Sequence, residues 1–265
     1  MKGLNDLKFM VTIKTKEEID KLREGGKRLA RVVAETAKLI KPGVSIDVLN
    51  DFAHKMIVEG GDRPAFLNHK PHGAARPFPA AICISVNEEI VHGIPNENPK
   101  VLEEGDIVTL DAGLVHEGLF TDHAITYTVG EVDKEVKRLL DVTREALMSG
   151  IKEARAGNRV GDIGSAISAR AQKAGLKVVK GLSGHGVGYN VHEEPFVPNE
   201  GRAGTGELLK PGMVLAIEPM FSIGSPNIKL EKDGYTYKTS DNSLSAQFEH
   251  TIVITEGEPE ILTKI

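Results

Sequence analysis

Tryptophan is absent from these 265 residues, and cysteine occurs once, at Cys83. A single thiol excludes an internal disulfide, and with it the small stapled scaffolds of secreted proteins. It also excludes cysteine-rich zinc sites, so a metal in this chain must be held by histidines and carboxylates. Long apolar runs are missing as well. Nowhere do about 18 uninterrupted apolar residues occur, so no transmembrane helix is expected. The opening stretch MKGLNDLKFMVTIKTKEEID carries recurrent charges and lacks a signal-peptide core. A cytoplasmic protein is expected. Basic charge is not in excess: 33 Lys+Arg against 38 Asp+Glu leave a formal charge of −5. Nucleic-acid binding needs a basic face to displace counterions from phosphate, and none is expected here.

What is present reads as a mixed α/β chain. Leu22, Gly26, Leu29, Val33, Thr36 and Ile40 recur at three- and four-residue spacing, predicting a helix over 17–41 that Pro42-Gly43 stops. Ser45 is the expected cap of a second helix over 46–59, ended by Gly60-Gly61. Proline and glycine make 62–82 an irregular loop. Residues 82–91 read as strand, turn at Asn87 and strand. Strands are expected at 107–111 and 120–129, helices at 133–153 and 161–174, then strands at 177–180, 185–191, 213–218, 235–239 and 248–255. No composition break marks a flexible linker.

The order helix, glycine turn, helix, strands occurs twice. Residues 17–59 resemble 135–174, and Leu102–Asp111 can be laid over Leu209–Glu218, each with a turn glycine six residues before the acid. Two pseudo-symmetric halves, about 13–130 and 131–265, are therefore expected to form one catalytic domain around a shared sheet, with Asp111 and Glu218 facing a common cleft.

Acids at strand positions carry the chemical signal. Period-two alternation sets Asp111 on the face of Ile107 and Thr109, and a hairpin through Gly118 brings Asp122 beside it. Glu249 lies in the apolar strand FEHTIVIT. Ionised carboxylates sharing a buried site repel unless a proton or a cation offsets them. Of nine histidines, most read as surface or loop residues. His185 and His192 differ, lying in GHGVGYNVHEEP. A strand through both separates their faces unless Gly186 or Gly188 bulges it. Other chemistries lack their signatures: GHGVG is no dinucleotide fingerprint, no HExxH or GxSxG occurs, and Cys83 sits in an apolar run where it packs.

The blocks IKTKEEIDKLREGGKRLA, CISVNEEIVHGIP, GDIVTLDAG, SGHGVGYNVHEEP, LKPGMVLAIEPM and DGYTYKTSDNSLSAQFEHTIVIT, in this order, resemble type I methionine aminopeptidases from about Ile13 onward. The resemblance implies the pita-bread α/β (α+β) fold: a central curved antiparallel sheet flanked by helices, with internal pseudo-two-fold symmetry. It implies two divalent ions, with Mn, Fe(II), Co and Zn equally compatible. Their ligands would be Asp111, Asp122, His185, Glu218 and Glu249, with Asp122 and Glu249 bridging. A water shared by the ions would be the nucleophile. Glu218 would shuttle its proton, His192 would bond the substrate carbonyl, and His92 would contact the scissile amide nitrogen. Cys83, Phe78 and Tyr235 fall at positions of the methionine side-chain pocket. The implied substrates are nascent polypeptide N-termini, met near the ribosome by a monomer with no membrane partner.

The chain departs from the family pattern around that pocket. Segment 62–82 has Ala75 where an aromatic is common, Val191 stands for Phe or Tyr, Tyr235 for Trp, and His123 follows Asp122. A more open rim is expected. Two other readings share the fold. One is an Xaa-Pro aminopeptidase or prolidase-like enzyme; those usually carry an extra N-terminal domain. The other is a non-catalytic pita-bread protein that binds peptides; such relatives typically lose metal ligands.

Overall fold

Two helix pairs set the frame, and their ends follow from local chemistry. In the computed structural model, which describes residues 11–265, α1 spans Lys16–Ala37. A capping box starts it: the Thr15 hydroxyl accepts from the Glu18 amide, and the Glu18 carboxylate accepts from the Thr15 amide at 2.7 Å. Leu22, Gly26, Leu29, Val33 and Thr36 form its buried face. The helix stops at Ala37, short of the expected 41, and the chain tightens after it: the amides of Lys38, Leu39 and Ile40 donate to the carbonyls of Glu35, Thr36 and Ala37, three residues back. Helix α2 covers Ile46–Glu59 as expected, but Ser45 does not cap it. The Ser45 hydroxyl pairs with the Asp47 carboxylate instead. Helices α3 (Lys134–Glu153) and α4 (Val160–Ala174) form the second pair, and α4 closes at Gly175 with φ 71°. That left-handed position suits a residue without Cβ.

Between and after the helices lie β1 (Arg63–Pro64), β2 (Cys83–Val86), β3 (Glu89–Val91), β4 (Ile107–His116) and β5 (Leu119–Thr128). The second half contributes β6 (Lys177–Val178), β7 (Ser183–Gly186), β8 (Glu193–Pro198), β9 (Val214–Ile217), β10 (Met220–Ser222), β11 (Ile228–Leu230), β12 (Tyr237–Thr239), β13 (Ser245–Gln247), β14 (His250–Val253) and β15 (Glu260–Ile261). The ladders of the two larger sheets are antiparallel: β4 joins β1, β2 and β5, while a second sheet runs β15-β14-β9-β7-β8. The two sheets meet where Ile125 bridges Phe248 and the Glu249 amide donates to the Ala124 carbonyl at 2.8 Å. Thr251 ties the same seam. Its hydroxyl accepts from the Asp122 amide and donates to the Asp122 carbonyl, at 2.9 and 2.7 Å.

Two expectations need correction. Strand β4 does not end at Asp111; it continues to His116 because Ala112, Leu114 and Val115 are buried too. The expected strand 185–191 ends at Gly186, where the chain turns back and Gly186 pairs with Glu193.

Apolar faces bury against these sheets on both sides. Helices α1 and α2 contribute Leu29, Leu49 and Ile57 to a core with Ile84, Val108 and Leu110. Helices α3 and α4 place Leu147, Ile163 and Ile167 against Leu215, Ile217 and Phe248. The chain end closes over the first half. Leu262 is buried with Leu22, and its carbonyl lies 2.5 Å from where a Cβ on Gly26 would stand. Beside it, Thr263 Oγ1 accepts from the Thr251 amide and pairs with His250 Nδ1 at 2.9 Å.

One polar residue fixes the approach to β2. Buried Asn50 accepts from the amides of Ala81 and Ile82 through its Oδ1, at 2.9 and 3.4 Å. Asn50→Ala strands both amides away from water. It is expected to cost about 1–3 kcal/mol of stability, read as a lower urea midpoint at unchanged slope.

Candidate metal centre and substrate cleft

Strand register brings the acids of the first half onto one face. Across the β4–β5 hairpin, Asp111 stands opposite Ala124 and Asp122 opposite Gly113. The two acids are therefore diagonal neighbours on the same side of the ladder. The turn between the strands is made by Glu117 and Gly118, at φ 46° and 86°. From the second half, His185 sits on β7, Glu218 between β9 and β10, and Glu249 immediately before β14. Donor atoms of Asp122, His185 and Glu249 lie within 4.8 Å of one another. Asp111 and Glu218 line the same cleft, and Glu218 Oε1 is 3.5 Å from His185 Nε2.

Burial dominates the electrostatics. The carboxyls of Asp122, Glu218 and Glu249 are pushed well above the ordinary range, first by desolvation and then by repulsion among themselves and Asp111. Asp111 is raised to about 7 by burial. His185 moves the other way, to about 4, because burial disfavours its charged ring. Its Nδ1 donates to the Gly186 carbonyl at 2.9 Å, which leaves Nε2 with a free lone pair facing the acids.

This donor set fits a divalent cation. Glu249 Oε1 is buried without a hydrogen-bond donor, as is Gln247 Oε1. Several acids converging on one unprotonated imidazole repel each other until a proton or a cation enters. Carboxylate-rich ligation with one nitrogen suits Mn, Fe(II), Co or Zn.

The cleft above is about 450 Å³ and mostly apolar. Phe78 and Tyr235 meet edge-on at 5.2 Å beside Cys83, Ala80 and Ile94. Cys83 is opposite Asp111 in the β2–β4 register, and its thiol is pushed up by burial and by the nearby acids. It packs. His92 follows β3 at φ 61°, with its ring pulled down to about 4 by burial and by His185. His192 is exposed in the cleft, its ring 4.4 Å from that of His185. The hairpin between β7 and β8 brings these two histidines together; a bulged continuous strand does not.

Around the rim, Arg76 holds the 62–82 loop down. Its guanidinium pairs with both Glu97 oxygens, and its carbonyl accepts the Tyr235 hydroxyl at 2.5 Å. Val191 packs on Ala65, Val115 and Phe66. His69, from the same loop, stands 6.3 Å from His192.

Three supports have contacts that sequence reasoning did not give, although it singled out His123 beside Asp122. Gln247, at the end of β13 and two residues before Glu249, donates from Nε2 to Glu218 Oε2 at 3.1 Å. His123 stacks on His250 at 4.8 Å, and its Nδ1 donates to the Glu249 carbonyl at 2.6 Å. His123 is buried and His250 half-buried, and each stands on a strand, not in a loop. Lys14 pairs with Glu193, a contact 179 residues apart that no local pattern signals.

Buried acids, one neutral imidazole and an apolar cleft on this two-sided α/β frame define a metallopeptidase-type site. Residues 20–256 match metallopeptidase family M24. A methionine aminopeptidase of Aquifex aeolicus is 44% identical over 257 residues, covering 96% of this chain and 99% of that protein. Methionine aminopeptidase 1 of Bacillus subtilis is 42% identical, covering 97% and 100%. The crystal structure of methionine aminopeptidase from Rickettsia prowazekii superposes with a TM-score of 0.91 at 42% identity, covering 96% of this chain and all of that one. The chain belongs to the methionine aminopeptidases of metallopeptidase family M24, and its fold is their pita-bread fold. A prolidase from Pyrococcus furiosus shares the fold alone, with a TM-score of 0.73 at 22% identity.

Proposed function

We propose that this chain removes the N-terminal methionine of nascent proteins and peptides by metal-assisted hydrolysis of the first peptide bond. The observation that carries the reading is the meeting of Asp122, His185 and Glu249, flanked by Asp111 and Glu218, at the polar end of an apolar cleft. These five residues would hold two divalent cations, with Asp122 and Glu249 shared between them. Bound there, such ions supply Lewis acidity, lowering the proton affinity of water and polarising a carbonyl.

The side chains divide the remaining work. A free α-amine is drawn to the acidic end of the cleft, which restricts cutting to the first bond. Glu218, in the same cleft and 3.5 Å from His185 Nε2, would take a proton from the attacking water and pass it to the leaving amine. His192, beside His185, is within reach of the substrate carbonyl. His92 faces the scissile nitrogen. Cys83, Phe78 and Tyr235 enclose the unbranched thioether, whose polarisable sulfur suits aromatic edges.

We read the chain as one catalytic domain of two halves, 13–130 and 131–265, each supplying part of the ligand set. It would act as a cytoplasmic monomer on chains emerging from the ribosome, without nucleic-acid or membrane binding. No helix among the described residues is long and apolar enough to cross a membrane.

Chelator-stripped protein, assayed on Met-Ala-Ser and Ala-Pro-Ser before and after adding Mn, Co, Fe(II) or Zn, tests the reading. Metal-restored release of methionine from the first peptide alone is expected. Cleavage of the second peptide indicates the Xaa-Pro class. Silence of folded protein on both, with every metal, indicates a peptide-binding protein.

A further inference from the structure

We propose that Glu193, clamped by Lys14 and Thr12, is a positioning residue that fixes the 187–192 turn and thereby aims His192 into the cleft. The inference rests on the role assigned above to His192. It arises because a fully buried ion pair stands where the hydrophobic core does not need one. The Lys14 and Glu193 side chains are 1% and 0% exposed, and Lys14 Nζ donates to Glu193 Oε2 at 2.6 Å. Removing both charges from water costs about as much as their attraction returns, so a pair of this kind adds little net stability over apolar neighbours. What it supplies is geometry.

Every bond of Glu193 points at the turn or at what holds it. Oε2 accepts from the Thr12 hydroxyl at 2.7 Å as well as from Lys14. Oε1 accepts from the amides of Tyr189 and Asn190, the latter at 2.9 Å. Lys14 also donates to the Thr12 hydroxyl and lies 4.8 Å from the centre of the Tyr189 ring. The Tyr189 hydroxyl donates to Glu18 Oε1 at 2.8 Å, so the capping box of α1 joins the same network. Gly188 leaves room for the clamp. At φ 139°, a Cβ there would stand 2.3 Å from Lys14 Cε.

The segment carrying Lys14 is itself anchored, since its amide donates to the Gly212 carbonyl at 2.8 Å, just ahead of β9. The turn is held further down by the Phe120 amide, which donates to the Gly188 carbonyl at 2.7 Å. With Tyr189 and Asn190 fixed from one side and Glu193 opening β8 on the other, His192 has its backbone pinned at both flanks. The His192 ring, exposed in the cleft, stands 4.4 Å from that of His185 and 6.3 Å from that of His69, so a shift of the backbone under it moves the ring relative to both.

The test compares Lys14→Met/Glu193→Gln, which removes both charges together, with Thr12→Val, a mild change that keeps shape. Both are made in the wild-type and His192→Ala backgrounds of the full chain. Supporting partners of a metal-site residue typically contribute 10–100-fold to activity. The double variant is expected to lose about that much in kcat on Met-Ala-Ser, with KM and bound metal little changed. Thr12→Val is expected to lose a few-fold in the same direction. In the His192→Ala background each further loss should shrink to under about threefold, because the route through His192 is already gone. Amide exchange at Tyr189 and Asn190 reads the turn without any assay and should accelerate on the order of 100-fold in the double variant. Equal kcat losses in both backgrounds overturn the proposal, as do unchanged exchange rates. A His192→Ala chain with full activity overturns the role of His192 and the aiming with it, whereas methionine-inactive wild-type protein with slow amides fails only the functional reading.

Discussion

Replacing Glu249 by glutamine is expected to lower methionine release by on the order of a thousand-fold while making the metal-free chain more stable. Partners that merely support a metal ligand contribute 10–100-fold, and a residue offering a direct oxygen donor contributes more. Glu249 stands with Asp122 and His185 within 4.8 Å, and its Oε1 has no donor of its own. The neutral amide is a poorer ligand, so bound metal should fall together with the rate. The stability gain has the same origin. Glu249 is raised well above the carboxylate range by desolvation and by Asp122, Glu218 and Asp111, so ionising it in the empty site is unfavourable. At neutral pH the metal-free fold must hold on Glu249 a proton that the unfolded chain has shed, a cost the amide does not carry, so the gain is on the order of 1 kcal/mol or more. Metal analysis, steady-state kinetics and urea unfolding of chelated protein check the three parts. An active variant with full metal content excludes Glu249 as a ligand.

Chelation is expected to turn the chain into one that weakens as pH rises. In the metal-free fold Asp111 keeps its proton up to about 7 through burial, and Asp122, Glu218 and Glu249 keep theirs well above the ordinary carboxylate range through burial and mutual repulsion. In the unfolded chain these groups ionise near 4. Between those limits the folded state binds more protons than the unfolded one, so stability is full below about pH 4 as far as these groups are concerned and is lost as pH rises through 7. The loss amounts to a few kcal/mol, or on the order of 10 °C in melting temperature for a chain of this size. Divalent metal reverses the slope, since binding displaces those protons and stabilises by about 2.7 kcal/mol at a hundred times its Kd. Melting curves from pH 5 to 8, with chelator and with Mn, check this. A chelated protein whose melting temperature rises across that range contradicts the raised carboxyls.

Much of this was legible in the chain. Apolar spacing located α1, α2, α3 and α4, because packing stripes and stops such as Gly175 are local. Alternation put Asp111 and Asp122 on one face, and a turn at Gly118 suffices to make them neighbours. Short strands were less readable. β8, β10, β11, β13 and β15 run six residues or fewer and are held by distant partners, so their own periodicity is weak. The extension of β4 to His116 was missed because an acid inside an apolar strand looks like its end, whereas here it is the reason for the site. The His123–His250 stack and the Lys14–Glu193 pair depend on contacts between remote segments, which no window of sequence contains.

The closure of the chain end over the first helix has a temporal meaning. Thr263 pairs with His250, His250 stacks on His123, and His123 holds the Glu249 carbonyl beside Asp122. Leu262 meanwhile packs on the face of α1 at Gly26 and Leu22. A growing polypeptide that has not yet released residues 262 and 263 lacks the last brace of its own reactive centre. The centre is therefore fully braced only after the segment carrying Leu262 and Thr263 has been made and has docked against α1 and β14.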